Sequence, residues 1–157
     1  MSYDRLCEPR YEAPMTIVHR TRTDLAALPV SAAITARGKE LCVSDTVADA
    51  RRLFATRSSV LVLPVLDGTA YTGAVARGTI AADVPADNPI VAFTSAFLPT
   101  ATAETPVGEA LSALDQDGSN RLVILASDHV TYVGLVCLRS DRERLCVDAD
   151  RHADPLR

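Results

Sequence analysis

The chain repeats its own pattern of apolar residues, and this repetition constrains its fold more than any other feature. From Pro29 onward, the apolar positions recur at an offset of 60 residues, which drifts by one where loop lengths differ. Matched positions include Val47 and Val107, Ala50 and Ala110, Tyr71 and Tyr132, and Gly73 and Gly134. A shared skeleton with loops of different length is what duplication of a small folding unit produces.

Both copies contain the same predicted elements in the same order. A short helical opening follows a proline, and then come a short strand, an amphipathic helix, a hairpin of two strands and a short closing helix. The segments before the closing helix are residues 30–34, 41–43, 47–54, 60–66 and 70–76 in the first copy, and 90–93, 100–102, 107–114, 122–125 and 130–137 in the second. The charged segment 139–145 is the predicted closing helix of the second copy. The predicted fold class is α/β (α+β), with two βαββα repeats.

The repeat also sets the predicted domain boundaries. These are an N-terminal arm (1–26), a first repeat (27–82), a linker (83–88), a second repeat (89–147) and a C-terminal tail (148–157). Residues 1–26 show no clear periodicity, which favours a mobile or loosely docked arm. The alternative is that residues 15–18 add a strand or contact a partner subunit.

Charge and hydropathy exclude two classes of partner. The formal net charge is −4, and no basic cluster is longer than a few residues, which argues against a nucleic-acid partner. No apolar run approaches the roughly 20 residues that span a bilayer, and the first residues lack the apolar core of a signal peptide. We therefore expect a cytoplasmic protein with no membrane partner.

The four cysteines do not follow a metal-binding pattern. Cys7, Cys42, Cys137 and Cys146 form no C-x-x-C motif, and no histidine stands at ligand spacing. Cys42 and Cys137 lie in apolar strand-like stretches, where a thiol behaves as a small hydrophobic side chain. We expect reduced cysteines and no metal site.

Composition also favours self-association. Each copy has about 60 residues, and the chain has three Phe, four Tyr and no Trp. A small core of this kind gains from burying more apolar helix surface in a symmetric contact. The chain is predicted to form a homodimer.

Several short stretches resemble those of a known family of small modules. They are residues 46–50, 63–67 and 73–75 in the first copy and 105–110, 122–125 and 134–139 in the second. Together with the βαββα order, found twice in about 120 residues, they resemble a tandem pair of CBS domains, named after cystathionine β-synthase. The resemblance covers about residues 27–147.

The resemblance implies an architecture and a function. Two such repeats pack sheet against sheet about a pseudo-twofold axis, and clefts form between them. In many members a cleft binds AMP, ADP, ATP or S-adenosylmethionine, and pairs of repeats assemble into flat dimers. Such pairs usually regulate an enzyme or channel, so the regulated target here would be a separate protein.

The adenosine-binding signature of the family is degraded in both copies. It reads Gly-h-h-Thr/Ser-x-x-Asp, where h is apolar, the hydroxyl donates to a phosphate and the carboxylate accepts from the ribose. Ala76 and Thr79 stand at the hydroxyl and carboxylate positions of the first copy. Cys137 and Ser140 stand there in the second copy, with Asp141 one position later. The second copy is therefore closer to the pattern.

The resemblance marks two sets of ligand-binding candidates. In the second repeat they are Thr100, Thr102, Arg121, Val123, Cys137, Arg139, Ser140 and Asp141. Weaker candidates in the first repeat are Leu41, Pro64, Ala76 and Thr79. The arginines are also explained as solvated side chains, and the threonines as ordinary strand residues.

These patterns predict a stand-alone regulatory module rather than an enzyme. No nucleophile and base occur in a catalytic arrangement, and no cofactor is required. The predicted ligand is an adenosine nucleotide or S-adenosylmethionine. The alternative is a ligand-free module for dimerisation and protein interaction, in which the nucleotide sites have degenerated.

Overall fold

The computed structural model describes residues 17–35, 40–56 and 58–148. In chain order their elements are β1 (Ile17–Thr21), α1 (Arg22–Leu25), the 3-10 helix Val30–Ala33, β2 (Leu41–Cys42), α2 (Val47–Thr56), β3 (Val62–Asp67), β4 (Ala70–Ala76), the 3-10 helix Ile90–Phe93, β5 (Thr100–Thr102), α3 (Val107–Asp117), β6 (Arg121–Leu125), β7 (Tyr132–Leu138) and β8 (Arg144–Asp148). The mixed α/β class and the duplicated order of strand, helix and hairpin are confirmed.

The described residues fall into two compact units. The first unit holds residues 40–97, and the second holds residues 17–35 together with 98–148. Each unit has its own apolar core, so each is described by itself.

The first unit is built on a three-stranded sheet in the order β2-β3-β4. β2 runs parallel to β3, and β3 and β4 form an antiparallel hairpin whose turn contains Gly68 at φ 66°, where a side chain is disfavoured. The helix α2 buries Val47 and Ala50 in the same cluster as Leu63 and Val75 of the sheet. These apolar positions lie on one face of α2, as its 3.6-residue periodicity predicts.

The second unit contains a five-stranded sheet in the order β1-β8-β7-β6-β5. β5 runs parallel to β6, and the remaining neighbours are antiparallel. The helix α3 buries Leu111 and Leu114 against strand residues such as Leu122 and Val136. It ends at Gly118, whose left-handed conformation lets its N–H bond to the Leu114 carbonyl at 2.8 Å.

The opening segment of each sequence repeat belongs to the compact unit of the other repeat. The Val30 N–H donates to the Thr105 carbonyl at 2.7 Å, inside the second unit. The Ile90 N–H donates to the Asp45 carbonyl at 2.9 Å, inside the first unit. The sequence repeats 27–82 and 89–147 therefore do not coincide with the compact units, because the opening segment of each repeat packs in the unit formed by the rest of the other repeat.

The prediction of an arm is wrong for residues 17–26. Residues Ile17–Thr21 form β1, which pairs antiparallel with β8, and Arg22–Leu25 form α1. Leu25 is buried in the core of the second unit. The alternative of an added strand is confirmed for residues 17 and 18, whereas residues 1–16 lie outside the described part of the chain.

The prediction of closing helices is also wrong. Residues 77–89, all described, contain no helix, and the second copy closes with the strand β8. The reason is the turn before β8, where Arg142 adopts φ 59° and Asp141 Oδ1 accepts from the N–H groups of Glu143 and Arg144 at 2.9 and 3.2 Å. An aspartate that binds the backbone of its own turn competes with helix formation.

The structure bears on two expectations from composition, the state of the cysteines and the lack of a membrane-spanning segment. Cys42 is disulfide-bonded, so the reduced state expected for it is wrong, while Cys137 and Cys146 are free. Among the described residues, no helix has the length and apolar character that a membrane crossing requires.

The pairing of β1 makes a testable prediction for two adjacent exposed positions. The Arg22 N–H donates to the Glu143 carbonyl at 2.8 Å, so by the alternation of antiparallel pairs the Arg20 N–H faces β8 and the His19 N–H points away from β8. We expect Arg20→Pro to lower the free energy of unfolding by about 1–3 kcal/mol more than His19→Pro, because only Arg20→Pro removes an interstrand hydrogen bond. Urea unfolding measures the difference.

The control for this comparison is His19→Ala, which removes the imidazole without changing the backbone donor. Equal destabilisation by the two proline variants would contradict the register of β1 on β8.

Candidate functional site

Four side chains form a row across the sheet of the second unit. His19 of β1 lies opposite Cys146 of β8. Cys146 in turn lies opposite Cys137 of β7, and Cys137 lies opposite Arg121 of β6. Directly opposed residues of antiparallel strands project from the same face. We call these four residues the polar row; His19 is exposed and the other three are half-buried.

The row lies on the face of the sheet opposite to the one that packs in the core cluster of the second unit. The intervening residues Leu122, Val136, Leu138, Leu145 and Val147 are buried in the core on the opposite face. The alternation along β8, with Leu145 and Val147 buried and Cys146 half-buried, is typical of a strand with one buried face.

Arg139 adds a second guanidinium beside the polar row. It lies two residues after Cys137 and its Nη1 contacts His19 Nε2 at 3.0 Å. Arginine only donates hydrogen bonds, so Nε2 of His19 is the acceptor in this contact.

Cys137 lies at the centre of the row in a mixed electrostatic environment. Burial raises the pKa of its thiol to about 11, although the charges of Arg121 and Arg139 act in the opposite direction. The thiol is therefore protonated at neutral pH and serves only as a weak hydrogen-bond donor.

The predicted carboxylate of the second signature is already engaged elsewhere. Asp141 lies in the turn between β7 and β8, where Oδ2 accepts from Arg144 Nε at 2.8 Å. Backbone donors at Glu143, followed by Arg144 itself, lower the pKa of Asp141 to about 2. Ser140 is exposed in the same turn. The structure thus brings Arg121, Cys137 and Arg139 together but holds Asp141 in its own turn.

The remaining candidates of the second repeat lie on the neighbouring strand pair. Thr100 of β5 is exposed and is the register partner of Val123 of β6, which is fully buried. The hydroxyl of Thr102 lies 3.0 Å from that of Thr105. Thr100 and Thr102 are the polar residues of this pair, while Val123 provides packing.

The first repeat has no counterpart of the polar row. Its equivalent of the Arg121–Cys137 pair is Val62 opposite Ala76, both apolar. Leu41 and Pro64 are buried, and Thr79 is exposed in the turn that follows β4, where its N–H bonds to the Ala76 carbonyl at 3.1 Å. The chemistry of the two repeats therefore differs at equivalent positions.

A groove of about 270 Å³ lies beside Ala76 in the first unit. Its two arginines bind backbone: Arg51 Nη2 donates to the carbonyls of Ala81 and Val84 at 3.0 Å each. Arg77 donates to the Val60 carbonyl at 2.8 Å and places its guanidinium 5.0 Å from the Phe54 ring centroid. The groove is smaller than the roughly 300–1,000 Å³ of ligand pockets, and its Arg51 fixes α2 to the segment 81–84 after β4.

Sequence reasoning missed His19 and Cys146 as site residues. His19 lies in the segment predicted as an arm, and Cys146 directly follows the segment 139–145 predicted as a helix. The signal for Cys146 is the alternation of Leu145 and Val147 with polar neighbours, which has the period of a strand. His19 had no comparable signal because β1 is short and mostly exposed.

The described residues contain no group of three or more His, Cys, Asp or Glu side chains arranged to hold a metal ion. Within the described ranges, the chemistry available at the polar row together with Arg139 is therefore that of two guanidinium groups, two thiols and an imidazole.

Comparison with known proteins gives structural matches. No family model matches the chain, and no curated protein sequence matches it. An uncharacterized conserved protein from Pyrococcus horikoshii is 22% identical with a TM-score of 0.54, covering 84% of this chain and 94% of that one. The CBS domains of a transcriptional regulator from Streptococcus pneumoniae are 20% identical with a TM-score of 0.61, covering 70% and 92%.

A third match carries a ligand in its own structure. The CBS domain of a bacterial CNNM/CorC family Mg²⁺ transporter, solved in complex with ATP, is 15% identical with a TM-score of 0.59. The match covers 74% of this chain and 85% of that one. At these identities the matches establish a shared fold.

Proposed function

Because the chain has the tandem CBS-domain fold, we propose that it is a regulatory module that binds an anionic adenosine nucleotide at the polar row and signals to a separate protein. The observation that carries this proposal is the convergence of Arg121, Cys137 and Arg139 at the end of the signature strand of the second repeat. No chemical step is assigned to these residues. The module acts by binding alone.

The charge at the row selects among adenosine ligands. Arg121 and Arg139 bring two guanidinium groups, whose planar donors match phosphate oxygens. This favours AMP, ADP or ATP over S-adenosylmethionine, whose sulfonium carries a positive charge. The ATP complex of the transporter's CBS domain supports the same ligand class for this fold.

The row lacks one feature that strong nucleotide binding requires. Ser140 stands where the family has a carboxylate that accepts from the ribose hydroxyls, and Asp141 is bound to Arg144. A neutral hydroxyl is a weaker acceptor than a carboxylate. Nucleotide affinity is therefore expected to be low, and a homodimer would present two such sites.

A second function is favoured by the same departures. The apolar Val62–Ala76 pair in the first repeat and the engaged Asp141 in the second leave neither signature complete. In this alternative the chain is a ligand-free module that acts through dimerisation and protein contacts.

Calorimetric titration with AMP, ATP and S-adenosylmethionine separates the two functions. We expect weak binding of AMP and ATP to the wild type, and a gain of about ten- to a hundredfold in Cys137→Thr/Ser140→Asp. One charge-assisted hydrogen bond contributes about 1.5–3 kcal/mol, or roughly ten- to more than a hundredfold in affinity, so the expected gain corresponds to one such bond. Arg121→Gln in the double-variant background is expected to remove most of the gain.

The matched control is Arg52→Gln, because Arg52 is an exposed arginine of α2 that pairs only locally with Asp49 at 3.0 Å. It should leave binding unchanged. A folded double variant that binds none of the three compounds would favour the interaction module instead. Preferential binding of S-adenosylmethionine would contradict the proposed anionic ligand.

A further inference from the structure

The two free cysteines of the described chain lie opposite each other on neighbouring strands. Cys137 of β7 and Cys146 of β8 are register partners, and both are half-buried with free thiols. The two side chains project from the same face of the sheet. Burial, and after it the neighbouring Cys146 thiol, raises the pKa of Cys137.

The backbone spacing of this pair fits a disulfide. The Arg139 N–H donates to the Arg144 carbonyl at 2.8 Å, so the pair two residues earlier, Cys137 and Cys146, is also of the hydrogen-bonded type. Directly opposed residues of this type have Cα atoms about 5.5 Å apart. Natural disulfides join Cα atoms about 4.4–6.8 Å apart.

We propose that Cys137 and Cys146 form a reversible disulfide when the protein meets a hydroperoxide, so that this strand pair is an oxidation-sensitive site. The register places the two thiols side by side on one face of the sheet, so the S–S bond can form once the Cβ atoms, about 4.5–5.5 Å apart in opposed pairs, close to the roughly 3.5–4.5 Å of a disulfide. The site is distinct from the disulfide that already involves Cys42.

The disulfide forms in two oxidation steps. One of the two thiols reacts first: its sulfur bonds to one peroxide oxygen, the O–O bond breaks, and an alcohol or water leaves. The other thiol then attacks the sulfenic sulfur, the S–O bond breaks, its own proton leaves with the hydroxide as water, and the S–S bond forms.

The electron balance is complete with the named oxidant. The two sulfurs together lose two electrons, and the O–O bond of the hydroperoxide takes them up as it is reduced. A small dithiol reverses the reaction by thiol–disulfide exchange.

Oxidation also removes a hydrogen-bond donor from the polar row. The effect on nucleotide binding that follows rests on the proposed function. Cys137 occupies the position from which the signature donates to a phosphate, and a disulfide removes its S–H. Oxidised protein is therefore expected to bind AMP and ATP more weakly than reduced protein.

The test is peptide mapping of native, full-length protein treated with hydrogen peroxide and then alkylated. Trypsin cleaves after Arg139 and Arg144, which separates Cys137, in peptide 122–139, from Cys146, in peptide 145–151. The expected product is these two peptides joined, with a mass lower by two hydrogens than their sum. It disappears on reduction with dithiothreitol and is absent from Cys146→Ser, in which Cys137 stays alkylatable.

A mixture of unlabelled and ¹⁵N-labelled protein shows whether the link is within one chain. Only like-with-like peptide pairs are expected. Mixed pairs, a link to Cys42, or alkylation of both thiols after peroxide treatment would overturn the proposal. The mass readout needs no nucleotide, so failure of the disulfide is distinguished from failure of the proposed ligand site.

Discussion

Gly134→Ala is expected to lower the free energy of unfolding by about 2–3 kcal/mol, the upper part of the range for overpacked cores. A Cβ atom at Gly134 would lie 2.5 Å from Cγ2 and 2.9 Å from Cδ1 of Ile34. Ile34 is fully buried and cannot swing into solvent. Its backbone is also fixed, because the next residue, Thr35, donates to the Leu135 carbonyl at 2.9 Å. Chemical denaturation measures the loss.

Gly108→Ala is the matched control for this prediction. A Cβ atom there would meet Ala26 at an ordinary 3.5 Å, and Gly108 lies within the helix α3. Alanine in place of a helical glycine stabilises by about 0.5–1 kcal/mol, so this variant should be neutral or slightly more stable.

A double-mutant cycle isolates the contact between residues 34 and 134. Ile34→Ala removes the three atoms that a Cβ at 134 would approach, and alone it is expected to destabilise by about 2–5 kcal/mol. In that background Gly134→Ala should have little further effect, which gives a coupling free energy of about 2 kcal/mol. Additive losses would place the strain of Gly134→Ala elsewhere.

The tight packing of both strand glycines could be predicted from the sequence, but their partners could not. A glycine within a run of strand-forming residues indicates close approach, and this interpretation is confirmed at Gly73, where a Cβ would lie 2.9 Å from the Ser95 carbonyl oxygen. Gly73 also has φ 148°, a conformation that disfavours side chains. Ile34 and Ser95 contact these glycines because the opening segment of each repeat packs in the unit formed by the rest of the other repeat. No local sequence pattern encodes that packing.

Elements with strong local periodicity were predicted well, and elements that depend on distant partners were not. The helices α2 and α3 and the two hairpins carry their own apolar faces or turns, so their types are confirmed. β1 and β8 stabilise each other across more than a hundred residues of chain. Their short sequences resemble an arm and a charged helix until that pairing is known.

For the same reason, two of the four residues of the polar row could be predicted from the sequence and two could not. Arg121 and Cys137 come from the hairpin that the sequence identified, and the structure places them side by side. Cys146 and His19 come from the two missed strands. The opposition of two thiols therefore emerges only from the register of β7 on β8.

Leu145→Ala is expected to lower the free energy of unfolding by about 2–5 kcal/mol, because it removes a fully buried side chain from the core of the second unit. Leu145 is paired with Arg20 on one side and Leu138 on the other, so its side chain is held from both neighbouring strands. Urea unfolding with an unchanged slope measures a loss of stability without a change in the surface exposed on unfolding.

Arg144→Ala is the matched control, since Arg144 is the preceding residue of the same strand. Its side chain is exposed and forms a surface ion pair with Asp141 at 2.8 Å, and such pairs contribute at most about 1 kcal/mol. A solvated closing helix at this place would make the two variants similar in stability. A large loss for Leu145→Ala beside a small one for Arg144→Ala is what a strand with one buried face requires, and equal losses would contradict the presence of β8 in the core.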